Sequence, residues 1–315
     1  MTDSVEATGT DGPKNIADPV EEGRHALAGI GLMVMAVGLF AAMDALVKWL
    51  AAKFPIIEII FFRSVFAFAP LVWLIAREGG ARALRISRPG LQVLRCIVGM
   101  LSMYLYFVAY KLLPLADAFA LGFTAPLFMT ALSVPLLGER VGIRRWAAVA
   151  FGFCGVLVML RPGGELFTWV ALVPVAGAFT YALAMVVIRQ LSRRDGTTAI
   201  VFWFTLFTLV GSAAFLPWTW VTPEGEEWLL LGAMGLLGGV AQIAMTRAFA
   251  TAPVAVVAPF EYTAMLWGVG LGWAVWGTLP DTWTWTGSAI LVASGLYILG
   301  REAALARGRG RQPVG

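Results

Sequence analysis

One histidine, two cysteines and few charges set the first limits on this chain of 315 residues. His25 lies in a polar N-terminal segment, so a zinc site of paired histidines and a Ser-His-Asp triad within the apolar part are both excluded. Cys96 and Cys154 each fall inside an apolar run, where a thiol packs as a small hydrophobe, and a structural disulfide is not expected. No G-x-x-x-x-G-K-S/T stretch occurs, which removes ATP use through a P-loop. GVGLG at 268–272 fails the dinucleotide spacing and reads as a small-residue packing face, Gly268 to Gly272. Neither a cofactor nor a metal is implied. Charged residues make up 13%, where a soluble domain carries about 25%.

Hydrophobic residues fill 59% of the chain, gathered in runs near 27–50, 55–76, 91–112, 114–137, 143–160, 167–188, 198–218, 227–248, 253–276 and 284–300. Each approaches the roughly 20 residues needed to cross a hydrocarbon core. Continuous apolar runs without alternation are helix signals, which argues against a membrane β-barrel. The fold class expected is therefore all-α integral membrane, with ten transmembrane helices.

These helices divide into two halves. Gly38, Gly99, Ala109, Tyr110, Pro114, Phe123, Thr124, Gly138 and Trp146 stand 139 residues before Gly177, Gly238, Ala248, Phe249, Pro253, Tyr262, Thr263, Gly277 and Trp285. Punctuating residues held in one register over several apolar segments indicate internal duplication. Repeats of 27–160 and 167–300 follow, flanked by a disordered cytoplasmic tail at 1–26 and a basic cytoplasmic tail at 301–315.

Loop charges give the orientation, because Lys and Arg gather on the cytoplasmic side. Arg77, Arg82, Arg85 and Arg88, then Arg140, Arg144 and Arg145, then Arg189, Arg193 and Arg194, alternate with loops that hold only Lys53, Lys111 and Arg161. Both termini are thus expected inside, with the second five-helix repeat inverted relative to the first. The net charge of +4 is a topology signal; without a basic face it does not suit nucleic acid.

Depth picks out candidate site residues, since a bare charge at mid-membrane costs on the order of 3 kcal/mol. Arg63 and Glu261 are the deepest charges by position, each roughly 12 Å from a helix end. Arg63 suits an anionic group of a substrate, and Glu261 a proton or cationic group; the competing reading is a structural ion pair. Asp44 could pair with Lys48 at i+4, and Arg247 is expected to snorkel to the cytoplasmic surface. Ser102, Tyr106 and Tyr110 share one helix face, as do Gln242 and Thr246. Thr124, Thr180, Tyr181, Tyr262 and Trp267 complete a polar aromatic set suited to a heterocyclic metabolite, or simply to interhelical hydrogen bonding. Pro126 and Pro259 would free the carbonyls of Gly122 and Ala255, and paired breaks in corresponding helices point to a transporter's binding site.

FFRSVFAFAPL (61–71), KLLPLADAFALGFTAPLF (111–128), LGERVGIRRW (137–146) and TRAFATAPVAVVAPFEY (246–262) resemble the ten-helix EamA family of the drug/metabolite transporter superfamily, over residues 27–300. The resemblance implies two inverted five-helix repeats around a central cavity and, as substrates, compounds such as S-adenosylmethionine, riboflavin or amino-acid metabolites. The expectation is a secondary transporter in a bacterial inner membrane, moving a small polar metabolite by alternating access, with a titratable Glu261 motivating proton coupling. An exporter of the same fold, a membrane scaffold and a glycan-lipid enzyme subunit are the alternatives. The Gly152–Gly155 and Gly268–Gly272 faces could pack within one chain or between the copies of a homodimer.

Overall fold

The computed structural model describes residues 19–137, 142–160, 169–251 and 257–309. Its regular elements among these residues are all helical: α1 (Pro19–Leu50), α2 (Ile56–Arg77), α3 (Pro89–Leu112), α4 (Leu115–Gly122), α5 (Ala125–Leu137), α6 (Ile143–Leu160), α7 (Trp169–Leu191), α8 (Thr197–Ala213), the single turn α9 (Leu216–Thr219), α10 (Glu227–Thr251), α11 (Ala264–Trp276) and α12 (Thr282–Arg309), with 3-10 turns at Gly80–Leu84 and Ala258–Thr263. Six described stretches are long and apolar enough to span a membrane: Leu27–Leu50, Ile56–Arg77, Pro89–Leu112, Leu115–Leu132, Trp169–Leu191 and Glu227–Ala248; Trp146–Leu160 and Thr197–Ala213 are shorter apolar helices. The chain is a multi-pass membrane protein.

Proline and glycine set many of the boundaries. Pro55 and Pro114 stand in extended backbone just ahead of α2 and α4, and Pro89 opens α3, where its missing N–H costs nothing. Gly277, at φ 65°, ends α11 as its N–H bonds to Trp273 O and that of Thr278 to Gly272 O, the paired closure that a left-handed glycine permits.

Three expectations change here. The runs at 114–137 and 253–276 are not continuous helices: the first breaks at Phe123 and Thr124, and the second opens with the 3-10 turn Ala258–Thr263. Pro126 and Pro259 sit in the first turn after each change of geometry, where the missing proline N–H costs little. Helix also runs into the polar ends, from Pro19 and as far as Arg309, because segments such as REAALARGR are built from good helix formers. The GER turn at 138–140, Arg161, Ala255 and residues 1–18 lie outside the described residues.

Helix α1 packs along α10, α3 along α7, and α6 along α12; α2 contacts both α8 and α10, and α4 meets α11. Polar contacts tie the helix ends into two opposite sets. At one end, Lys53 pairs with Glu227 at 2.7 Å, and Glu58 accepts the Val221 N–H at 3.0 Å. At the other, Arg247 pairs with Glu78 at 3.1 Å, Thr198 bonds the same carboxylate, and Asp195 accepts the Ser87 N–H at 2.7 Å. The two buried acids act crosswise: Glu58, in the first turn of α2, holds the loop after α8, and Asp195, just before α8, holds the loop after α2.

Close approach elsewhere depends on small residues, because apolar burial drives little association between helices in lipid. On α12, Gly287 leaves no room for a side chain, since an added Cβ would collide with Met159 and the Gly155 carbonyl of α6. Gly268 is similarly filled by Phe119 of α4. Both glycine faces are therefore used within the chain. Gly287→Val should lower unfolding stability by about 1–3 kcal/mol through overpacking, read by thermal unfolding in detergent. Gly31→Ala, facing open space, should stay within about 0.5 kcal/mol of the parent.

Candidate functional site

The break between α4 and α5 and the 3-10 turn before α11 face each other. At the break, Thr124 donates its hydroxyl to Leu121 O at 2.8 Å; at the turn, Thr263 donates to Phe260 O at 2.6 Å. Each hydroxyl thus satisfies a carbonyl three residues back, where the α-helical pattern is interrupted. The residues just before them, Phe123 and Tyr262, meet edge to face with ring centroids 5.2 Å apart.

Beside this contact lies a cavity of about 250 Å³. Arg63 of α2, Asp44 of α1, Tyr106 and Tyr110 of α3, and Tyr181 of α7 line it, as do Gln242 of α10, Glu261, Tyr262 and Pro126. Thr124 does not: it is fully buried, and its hydroxyl is spent on the helix break. The Tyr262 ring reaches the cavity while its hydroxyl packs against Gly295 of α12. The backbone of Pro259 belongs to the facing turn. Thr180 turns its hydroxyl back to Gly177 O at 2.9 Å, and Trp267 packs on Gly38 outside the cavity lining.

Arg63 and Glu261 form no ion pair with each other or with another residue among those described. Arg63, 5% exposed, directs Nε to Met43 Sδ at 3.4 Å and has Asp44 within electrostatic reach. Asp44 also lies beside the Tyr110 hydroxyl. The Asp44–Lys48 pair that the i,i+4 spacing allows is absent. Lys48 instead donates from Nζ to the carbonyls of Tyr110 at 2.9 Å and Leu113 at 2.6 Å, closing the C-terminus of α3, where unsatisfied carbonyls and the helix dipole attract a cation. Arg247 does reach an exposed end but is paired there with Glu78. Lys53, between α1 and α2, has its ammonium held above its ordinary pKa, chiefly by the hydrogen bond to Glu227.

Position in the sequence concealed one residue. Arg95 starts only six residues into α3, yet it is 4% exposed and lines the cavity. Its guanidinium lies 3.9 Å from the Phe204 ring centroid, and Nε and Nη1 have no hydrogen-bond partner among the described residues. Stacking on an aromatic ring contributes about 2 kcal/mol when desolvated, less than the several kcal/mol of removing an ion from water. The signal was present: Arg95, Gly99, Ser102, Tyr106 and Tyr110 fall on one helical stripe and all face the cavity.

The rings form a continuous wall. Tyr106 stacks with Tyr110 at 6.1 Å and meets Tyr181 edge-on at 6.4 Å. Ser102 braces this wall by donating to Gly177 O at 3.1 Å. The cavity therefore combines flat aromatic surface with a small number of charged and polar groups, the make-up of a small-molecule pocket. Lys48→Met should cost about 2 kcal/mol or more by exposing two helix-end carbonyls, measured by thermal unfolding, with exposed Lys111→Met as the unaffected control.

The EamA-like transporter family matches twice, at residues 27–161 and 168–300. A riboflavin transporter of Rhizobium johnstonii is 31% identical over 284 residues, covering 89% of this chain and 94% of that protein. The pseudopaline exporter CntI of Pseudomonas aeruginosa is 34% identical over 272 residues, with 85% and 94% covered. An S-adenosylmethionine uptake transporter of Rickettsia felis is 26% identical over 276 residues, with 88% and 94% covered. One crystal structure has the same fold at a TM-score of 0.63 and 23% identity, covering 90% of this chain and 99% of its own. With both matches running through the helices that enclose the cavity, the chain belongs to the EamA-like transporter family.

Proposed function

We propose that this protein is a secondary transporter that moves a small polar metabolite with an aromatic or heterocyclic part across a bacterial inner membrane. It works by alternating access between two inverted five-helix repeats, 27–160 and 167–300, with both termini cytoplasmic. The observation that carries this reading is the cavity at the meeting point of two interrupted helices, lined by Arg63 and Glu261 without an ion pair between them. Irregular backbone at membrane depth is tolerated where it borders protein or a water-filled cavity, the arrangement through which transporters expose main-chain dipoles to a substrate.

Packing supports the repeat. Exchanging each helix for its counterpart turns the α1–α10 contact into α7–α3 and the α2–α10 contact into α8–α3, and both members of each pair are present. The arginine-rich loops after α2 and α7 fall at the helix ends joined by Arg247–Glu78 and Asp195–Ser87, which supports assigning that end to the cytoplasm.

Glu261 faces the cavity with no cation in contact among the described residues, and a carboxylate there can carry a proton through a transport cycle. Tyr106, Tyr110 and Tyr181 offer ring faces to the substrate, while Arg63, Asp44 and Gln242 offer polar contacts. Direction follows the coupling gradient.

Paired metabolite profiling of cells and medium tests the reading, using a transporter-poor host that makes the wild type or Arg63→Ala plus Glu261→Ala at matched membrane abundance. The wild type alone should shift a compound across the membrane, and Glu261→Gln should remove the response of that flux to an imposed pH gradient. A wild type that shifts nothing in a broad supplemented medium would refute transport; a pH response surviving Glu261→Gln would refute coupling at this residue.

A further inference from the structure

Of the two arginines that line the cavity, only Arg63 has a compensating neighbour among the described residues. Its Nε is taken by Met43 Sδ, and Asp44 supplies a nearby negative charge. Arg95 has neither: its neighbours are the Phe204 ring, Cys96, Tyr181 and, at longer range, the like charge of Arg63. No acidic residue pairs with it among those described, and two of its guanidinium nitrogens are buried without an acceptor. A buried guanidinium has five donors in a rigid fork and no means of shedding its proton, so it calls for an anionic partner.

The surroundings keep that position available. Gly99, one turn further along α3, has no side chain, and a Cβ there would collide with Arg95 Nη1 and press on Phe204. Tyr181 lies within electrostatic reach of both Arg95 and Glu261, so the aromatic wall runs from the unpaired cation towards the unpaired carboxylate.

We infer that Arg95 is the anchor for an oxyanion, a carboxylate or phosphate, on the transported molecule, which fills the place that a counter-ion would otherwise take. This rests on the transport reading and narrows it: the substrate carries a negative group at one end, and its flat part lies along Tyr181 and Tyr106. Arg63, already balanced by Asp44, holds α1 and α2 together at the cavity wall and is not the primary anion site. The planar fork of Arg95 suits two parallel hydrogen bonds to one oxyanion.

Simple probes test this on the purified full-length protein. Thermal unfolding is followed with inorganic phosphate, benzoate and the neutral isostere benzamide, each against sodium chloride at equal ionic strength. Benzoate, phosphate or both should raise the midpoint while benzamide does not, and the responding anion tells a carboxylate site from a phosphate site. Arg95→Gln should weaken the anion about tenfold or more, the scale of a lost charge-assisted hydrogen bond. Arg95→Lys, which keeps the charge and loses the fork, should retain part of the response, and it decides the matter if Arg95→Gln does not fold.

Stabilisation by benzamide equal to that by benzoate, no stabilisation by either anion, or an anion response unchanged in the arginine variants overturns the assignment. Metabolite profiling of Arg95→Gln separates this failure from that of transport. If wild type and variant move the same neutral compound equally, transport stands and the oxyanion anchor falls; if the wild type moves nothing, the transport reading falls first.

Discussion

Backbone hydrogen bonding without water is the constraint on which the rest of this structure depends. Within hydrocarbon, every N–H and C=O must be satisfied by the chain itself, so an interrupted helix is admissible only if its freed groups are met. At Phe123–Thr124 and at Ala258–Thr263 the chain meets this demand in the same way, with a threonine hydroxyl returned to the carbonyl three residues earlier. Proline alone does not explain the breaks, because Pro70, Pro135 and Pro174 sit inside uninterrupted helices. What distinguishes Pro126 and Pro259 is the threonine nearby and the aromatic partner across the contact, Phe123 for one and Tyr262 for the other.

Ionisable groups obey a parallel rule. Lys48 spends its charge on the end of α3; Lys53 spends its own on Glu227 at the start of α10, and Arg247, near the other end of α10, on Glu78 after α2. Exposed pairs of this kind contribute about 0–1 kcal/mol each, so they orient helix ends more than they stabilise the bundle. Buried Glu58 and Asp195 take backbone N–H groups from loops across the structure. Against this background of charges already employed, Arg95 and Glu261 stand out as cavity groups with no ion-pair partner among the described residues.

Much of this was legible in the sequence, and the part that was not has a physical cause. Apolar runs located the helices, and Pro126 and Pro259 in corresponding runs pointed to both interruptions, because proline carries a backbone requirement that composition cannot imitate. Depth picked out Arg63 and Glu261, and helical periodicity Tyr106 and Tyr110, all of which line the cavity. Arg95 was missed because distance from a helix end stood in for distance from water; α3 is covered there by α7 and α8, and tertiary packing is invisible to that measure. The Asp44–Lys48 pair, left open by the sequence, does not form for a related reason. Spacing at i+4 offers proximity, but two bare carbonyls at the end of α3 offered Lys48 a better site.

A last consequence follows from what the two halves do not share. Gly122 and Glu261 both border the cavity and stand 139 residues apart; at the same spacing Arg63 corresponds to Phe202 and Arg95 to Met234. The scaffold residues are duplicated, whereas the charges are not. Two identical inverted halves would make the inward-facing and outward-facing shapes two-fold rotational exchanges of one another, equal in energy by symmetry. In the proposed architecture these unmatched charges are among the positions that lift that degeneracy, so side chains proposed to meet the cargo also weigh on the resting orientation of the empty protein.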